Sequence, residues 1–202
     1  MYAQTGTDAE LITAAARGDA KEVARLLKAG AGISARDAHR RTALMAATQG
    51  NHIDAARLLI EAGSDVNAQD DIEDSPFLLA GASGYLEILK FTLAHGADLK
   101  SLNRYGGTAL IPACHHGHLD TVRELLKTKI DRNHVNKLGW TALLEAIILG
   151  NGGTTHTEIV RELLAHRADP NIADRDGVTP LAHARRNSYR EMARVIEAAG
   201  GR

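Results

Sequence analysis

One alanine recurs along the chain at a nearly constant interval: Ala14, Ala47, Ala80, Ala113, Ala146 and Ala184. The first four steps are 33 residues and the last is 38. Five residues before the last five alanines stand Thr42, Ser75, Thr108, Thr141 and Thr179. Three residues before all six stand Leu11, Leu44, Phe77, Leu110, Leu143 and Leu181. A unit this short cannot bury its apolar face alone, so a period near 33 implies a stacked array rather than one globular core. Arrays of this kind expose long surfaces that usually hold other macromolecules.

The composition bounds what the array can do. Hydrophobic residues make up 44% but aromatic residues only 3%, so the continuous core must be aliphatic. A net charge of -1 and a pI near 6.8, with no long run of one sign, lack the electrostatic footprint of a nucleic-acid binder. No apolar stretch approaches the roughly 18 residues that would suggest a membrane span. Cys114 is the sole cysteine, which excludes an internal disulfide and a paired-cysteine metal or redox site. Beside Ala113 it reads as a small core residue. The nucleophile elbow, the phosphate loop and the His-Glu-x-x-His zinc motif are all missing, so no enzyme and no cofactor is expected.

The unit is best read from 136–173. Asn136-Lys137-Leu138-Gly139-Trp140 is a turn, with Gly139 supplying positive φ. Thr141 caps a first helix over 142–149, ended by Gly150. A second helix is predicted over about 157–166, with Ile159, Val160, Leu163 and Leu164 on its inner face. Ala168-Asp169-Pro170-Asn171 turns the chain toward the next copy.

These residues resemble the ankyrin-repeat family over essentially the whole chain. The resemblance rests on the Thr-Pro/Ala-Leu opening, the fixed alanine, Gly117-His118, and endings such as Gly63-Ser64-Asp65-Val66-Asn67. It implies an all-α solenoid of L-shaped units, each a hairpin-like loop followed by two antiparallel helices. The expected layout is a polar tail over 1–7 and a single domain over 8–202. Its units are an N-terminal cap at 8–36, internal copies at 37–69, 70–102, 103–135 and 136–173, and a C-terminal cap at 174–202. The extra residues 151–155 fall at the helix-to-helix turn of the fifth unit, as a functional loop or as a tolerated insertion. Two departures stand out. Met45, Leu78, Ile111, Leu144 and Ala182 occupy a position where the family often has histidine, and Arg40 and Glu73 replace the turn glycine, which predicts two less regular loops.

The family resemblance implies binding through loop tips and the exposed face of the first helices. Carried to this chain, the tips give Arg41, Asp74, Arg104, Tyr105, Lys137, Leu138, Trp140, Arg175 and Asp176. The first-helix face gives His115, His116, Leu149 and Arg186. Trp140, the sole tryptophan, sits at a loop tip and reads as a contact residue or as a ring lying flat on a neighbouring loop. The expectation is a non-enzymatic protein–protein interaction module, monomeric and bacterial in type, binding one folded protein partner of mixed charge pattern. Two alternatives stand beside it. Glu145 and His183 share a first-helix position, near His115 and His116, and could form a small ligand or metal pocket or a buried polar pair. Tyr2-Ala3-Gln4 is similar to a bacterial signal-cleavage pattern. The chain would then be a periplasmic accessory protein, whereas a native start at Met1 makes it cytoplasmic.

Overall fold

The computed structural model describes residues 6–202, so the Tyr2-Ala3-Gln4 pattern lies outside the described residues. These residues are all-helical, with twelve helices in six consecutive pairs. The pairs are α1 (Gly6–Ala16) with α2 (Ala20–Lys28), α3 (Ala43–Gln49) with α4 (Ile53–Glu61), and α5 (Pro76–Ser83) with α6 (Leu86–Ala94). Then follow α7 (Leu110–His115) with α8 (Leu119–Leu126), α9 (Ala142–Ile148) with α10 (Thr154–Ala165), and α11 (Pro180–Arg186) with α12 (Arg190–Ala198). Helix α1 begins at Gly6, inside the stretch expected to be a polar tail.

The chain forms two compact units. One holds the described residues up to Ala80 together with Tyr85–Asp98; the other holds Gly81–Gly84 and Leu99–Arg202. In the first unit α1 packs on α2 and α3, α2 on α4, and α4 on α3 and α6. In the second, α7, α9 and α11 pack in succession, and so do α8, α10 and α12, with each pair joined across the layers. First helices thus stack on first helices and second helices on second helices. Each core lies between these two layers. Leu11, Leu26, Leu44, Leu59 and Phe77 fill the first, and Leu110, Leu125, Leu143, Ile159 and Leu163 the second, all at 0–1% exposure. The recurrent alanine is fully buried at Ala47, Ala80, Ala113, Ala146 and Ala184. A methyl group there lets first helices approach closely, and a larger side chain would overpack the contact.

The helices begin where hydroxyls can cap them. Thr42, Ser75, Thr141 and Thr179 each accept the backbone N–H three residues on, at 3.2–3.3 Å. Thr108 does not, and its hydroxyl is buried without a partner among the described residues. The cause is Pro112. In the other units the residue four positions on donates its N–H to the cap carbonyl, as Ala46 does to Thr42 and Glu145 to Thr141. Proline has no N–H to give. The Ile111 N–H turns to the Thr108 carbonyl at 3.2 Å instead, which strands the hydroxyl.

The expected boundaries in the fifth unit shift. Helix α9 ends at Ile148 with Leu149 as its cap, and α10 starts at Thr154, three residues before the sequence suggests. Thr154 and Thr155 therefore lengthen the second helix, and only Asn151-Gly152-Gly153 remain as added loop. The loop is packed. The Tyr189 hydroxyl donates to the Gly150 carbonyl at 3.1 Å, and a Cβ on Gly152 would meet the Tyr189 ring at 2.2 Å. The insertion also leaves the stacking contact intact. Elsewhere the residue entering the second helix reaches back to the preceding first helix: His52 Nε2 lies 3.0 Å from the Ala16 carbonyl oxygen, and His118 bonds the backbone of Ala82. Counting the period puts Asn151 there. His156, five residues later and already the third residue of α10, takes the role, with Nε2 at 2.9 Å from the His115 carbonyl oxygen.

Candidate binding surface

Five hairpin-like loops share one internal hydrogen-bond pattern, set by an Asx residue at the first position: Asp37, Asp70, Asn103, Asn136 and Asp174. Each Oδ1 accepts the backbone N–H groups two and four residues on, at 2.8–3.1 Å. Each backbone N–H donates across the loop to the carbonyl four residues on, and the fourth residue donates back to the first carbonyl. The fourth residue must adopt positive φ. Gly106, Gly139 and Gly177 do so at 69°, 88° and 74°. Arg40 at 57° and Glu73 at 62° adopt the same conformation against the preference of L side chains. The expectation of two irregular loops is therefore corrected: the shape holds, and Arg40 and Glu73 carry the strain.

The loops are also laced to their neighbours within each unit. In the first, the Asp71 N–H donates to the His39 carbonyl at 3.2 Å. In the second, the Lys137 N–H donates to the Tyr105 carbonyl at 2.9 Å, its ammonium to the Arg104 carbonyl at 2.9 Å, and the Arg175 guanidinium to the Lys137 carbonyl. The tips stand on a braced frame.

On that frame the expected site residues divide. Tyr105, Leu138 and Leu149 are exposed, at 52%, 47% and 42%. Arg104 sits over the Tyr105 ring, 4.7 Å from its centre. Lys137, Arg175, Asp176, Arg186 and His116 are exposed, and Asp74 is half-buried. Trp140 is half-buried rather than fully presented. Arg41 is committed within its own loop: its guanidinium pairs with Asp37 at 2.6 Å and donates to Gln49 at 3.0 Å.

The polar column expected at Glu145 and His183 pairs differently. Glu145 is buried, and its Oε1 accepts the Asn136 Nδ2 hydrogen at 2.9 Å. Its Oε2 lies 3.7 Å from His115 Nδ1. His183 Nε2 meets Asp174 Oδ2 at 2.7 Å. In the fifth and sixth repeats the first-helix side chain thus bonds the Asx residue of its own loop, nine positions back. Asn136 donates to a carboxylate, and Asp174 accepts from an imidazole. The second, third and fourth repeats have Ala46, Leu79 and Pro112 at this position, side chains that can make no such bond. Among the described residues no three His, Cys, Asp or Glu side chains converge to hold a metal. Burial raises the Glu145 carboxyl above its ordinary value, with the Asn136 bond opposing in part. Burial lowers the His115 imidazole, helped by His116 and His156; the His115 and His116 rings stack at 4.2 Å. Burial acts to raise Asp174, but the Val178 N–H, His183 and the Asp176 N–H outweigh it and hold the carboxyl low. Cys114 is fully buried, and burial together with Glu145 pushes its thiol well up, which makes it an inert core residue.

Sequence reasoning missed the Asx residues. Their spacing follows the alanine period, and that period could have found them.

Comparison with known proteins agrees with this architecture. The family model "Ankyrin repeats (3 copies)" matches residues 4–70 and 77–174. The chain belongs to the ankyrin-repeat family, whose members generally serve as protein–protein interaction modules. It is similar to YahD of Escherichia coli (strain K12), named as an ankyrin repeat protein, with 45% identity over 56 residues, or 28% of each chain. The match thus spans about a quarter of that relative's length. It is also similar to an ankyrin repeat domain from Acinetobacter baumannii AYE, known at atomic detail, with 57% identity, a TM-score of 0.93 and coverage of 96% of this chain and 98% of that one. The ankyrin repeat protein EF0377 gives 38% identity and a TM-score of 0.91, covering 98% of both chains. The ankyrin domain of Bcl-3, a member of the IkappaB protein family, gives 26% and 0.84, covering 95% of this chain and 86% of that one. No described helix is long and apolar enough to cross a membrane.

Proposed function

We propose that the chain is a non-enzymatic module that holds a folded protein partner on the loop tips and first-helix face of its second unit. The observation that carries this reading is the exposure of Tyr105, Leu138 and Leu149 on braced elements. Apolar and aromatic groups held out to solvent on a rigid frame are interface anchors, because little conformational entropy is lost when they dock. Arg104, Lys137, Arg175, Asp176 and Arg186 surround them with both signs of charge, which favours one complementary partner over a uniform polyanion. Trp140, half-buried, leaves part of its side chain open to a partner.

The test is affinity capture from a lysate of the source organism, comparing the natural chain with a Tyr105→Ala, Trp140→Ala double variant. Circular dichroism checks that both are folded. The expected outcome is a specific partner retained by the natural chain and lost by the folded variant. A partner retained equally by both would put the contact on another face and defeat this reading.

A further inference from the structure

A second feature of the second unit lies away from the loop tips. Each second helix is followed by a position that ends it, held by Gly30, Gly63, Gly96 and Gly200 with φ between 83° and 96°. In the fourth and fifth units that position carries Lys129 and Arg167. Arg167 keeps the glycine conformation, at φ 67°, which L side chains avoid. At Lys129 the turn is built another way: the Thr128 hydroxyl donates to the Leu125 carbonyl at 2.6 Å and accepts the Ile130 N–H at 3.1 Å. Two consecutive units thus place a cation where the others have no side chain.

Both cations line one cleft of about 680 Å³, with Ile130, Asp131, Arg132, Asn133, Ala165 and His166. Arg132 stands where the second repeat has buried Val66. Its Nη2 donates to the Leu126 and Thr128 carbonyls at 3.2 and 3.1 Å, while its Nε is buried without a partner among the described residues. Of the carboxylates nearby, Glu162, beside His166, is paired with Arg123 at 2.7 Å, while Asp131 accepts the Asn133 N–H at 2.9 Å and keeps its charge, so the lining sets three cationic side chains, Lys129, Arg132 and Arg167, against one carboxylate. The cations are not needed to cover helix ends. The N–H groups of His166, Arg167 and Ala168 bond carbonyls of the last turn of α10, and Arg132 serves α8.

We infer that this cleft is an anion site that takes a phosphate group, with Lys129 and Arg167 as its charged walls and Arg132 at its base. Guanidinium and ammonium groups from two adjacent turns that line one cleft suit an oxyanion with several acceptor oxygens. Residues held in disfavoured backbone conformations gather at functional sites, and Arg167 is held so. The phosphate could be free, on a soluble metabolite, or on a lipid headgroup. The site is independent of the protein-binding surface and stands or falls apart from it.

The test uses the full chain and inorganic pyrophosphate as probe, followed by calorimetry at low salt. Arg167→Gly restores the residue found in the other units, so its melting temperature should hold or rise. The expected result is saturable binding by the natural chain that weakens roughly tenfold or more in folded Arg167→Gly and in Lys129→Gln. Co-sedimentation with phosphatidic acid vesicles, lost in Arg167→Gly, would place the phosphate on a lipid; pyrophosphate binding without co-sedimentation would make it soluble. Absence of saturable pyrophosphate binding, or equal binding by the natural chain and Arg167→Gly, would overturn the assignment.

Discussion

Glu145 shows how one side chain can serve the frame at a cost. Its carboxylate organises the fifth loop through Asn136, but burial raises its pKa above the ordinary 4.5. A raised folded pKa means a stabilising contribution that is full below the unfolded pKa and lost as pH rises through the folded one. At neutral pH Glu145 is therefore on the unfavourable side. Glu145→Gln keeps an acceptor for Asn136 and removes the charge. We expect it to raise stability at pH 7.5 by roughly 1 kcal/mol, the scale of one buried polar interaction. The gain should shrink as pH falls toward 4, where the natural residue is protonated. Chemical denaturation at both pH values checks this, and a gain that grows on acidification would refute it. Asp174 has the opposite sign. Its depressed pKa contributes stability present above the unfolded value and lost as pH falls through the folded one.

Helix α7 is the shortest of the twelve described, and the hydroxyl that should cap its start is stranded. Pro112→Ala restores the missing N–H, which frees the Ile111 donor for the Thr108 hydroxyl. Completing that cap should stabilise the chain by about 0.5–2 kcal/mol. Thermal melts of the variant check this, and an unchanged or lower midpoint would mean that another group caps α7. The same helix marks what could be read in the sequence. The alanine period, the Thr and Leu offsets and the family were legible because packing and capping repeat them in every unit. The stranded Thr108 hydroxyl was not, because it depends on an N–H missing four residues away. Glu145 and His183 were picked out as anomalies at one helical position, but their partners, Asn136 and Asp174, lie on loops nine residues back. Periodicity of a helix face carries no information about such contacts. The positive φ of Arg40 and Glu73 escaped notice because side-chain identity argued against it, while the Asx bonds at Asp37 and Asp70 enforced it.

At the scale of the molecule, a stacked array gains its stability from interfaces between neighbours. Leu125 lies on α8, which packs on α7 and α10, and it is fully buried. Leu125→Asp puts an unpaired carboxylate there, and we expect a loss of about 4 kcal/mol or more, the worst of single changes. Circular dichroism melting that shows no loss of stability would contradict this. The fifth unit shows what such an interface ignores. His156, the third residue of α10, makes the contact that counting assigns to Asn151, so what the stack reads is a residue at the start of the second helix, and the number of residues spent reaching it goes unread. The turn after α9 is therefore a natural splice point. Segments added beside Asn151, with Gly152 kept under the Tyr189 ring and Thr154 kept as the start of α10, would lengthen the chain while leaving its stacking phase unchanged.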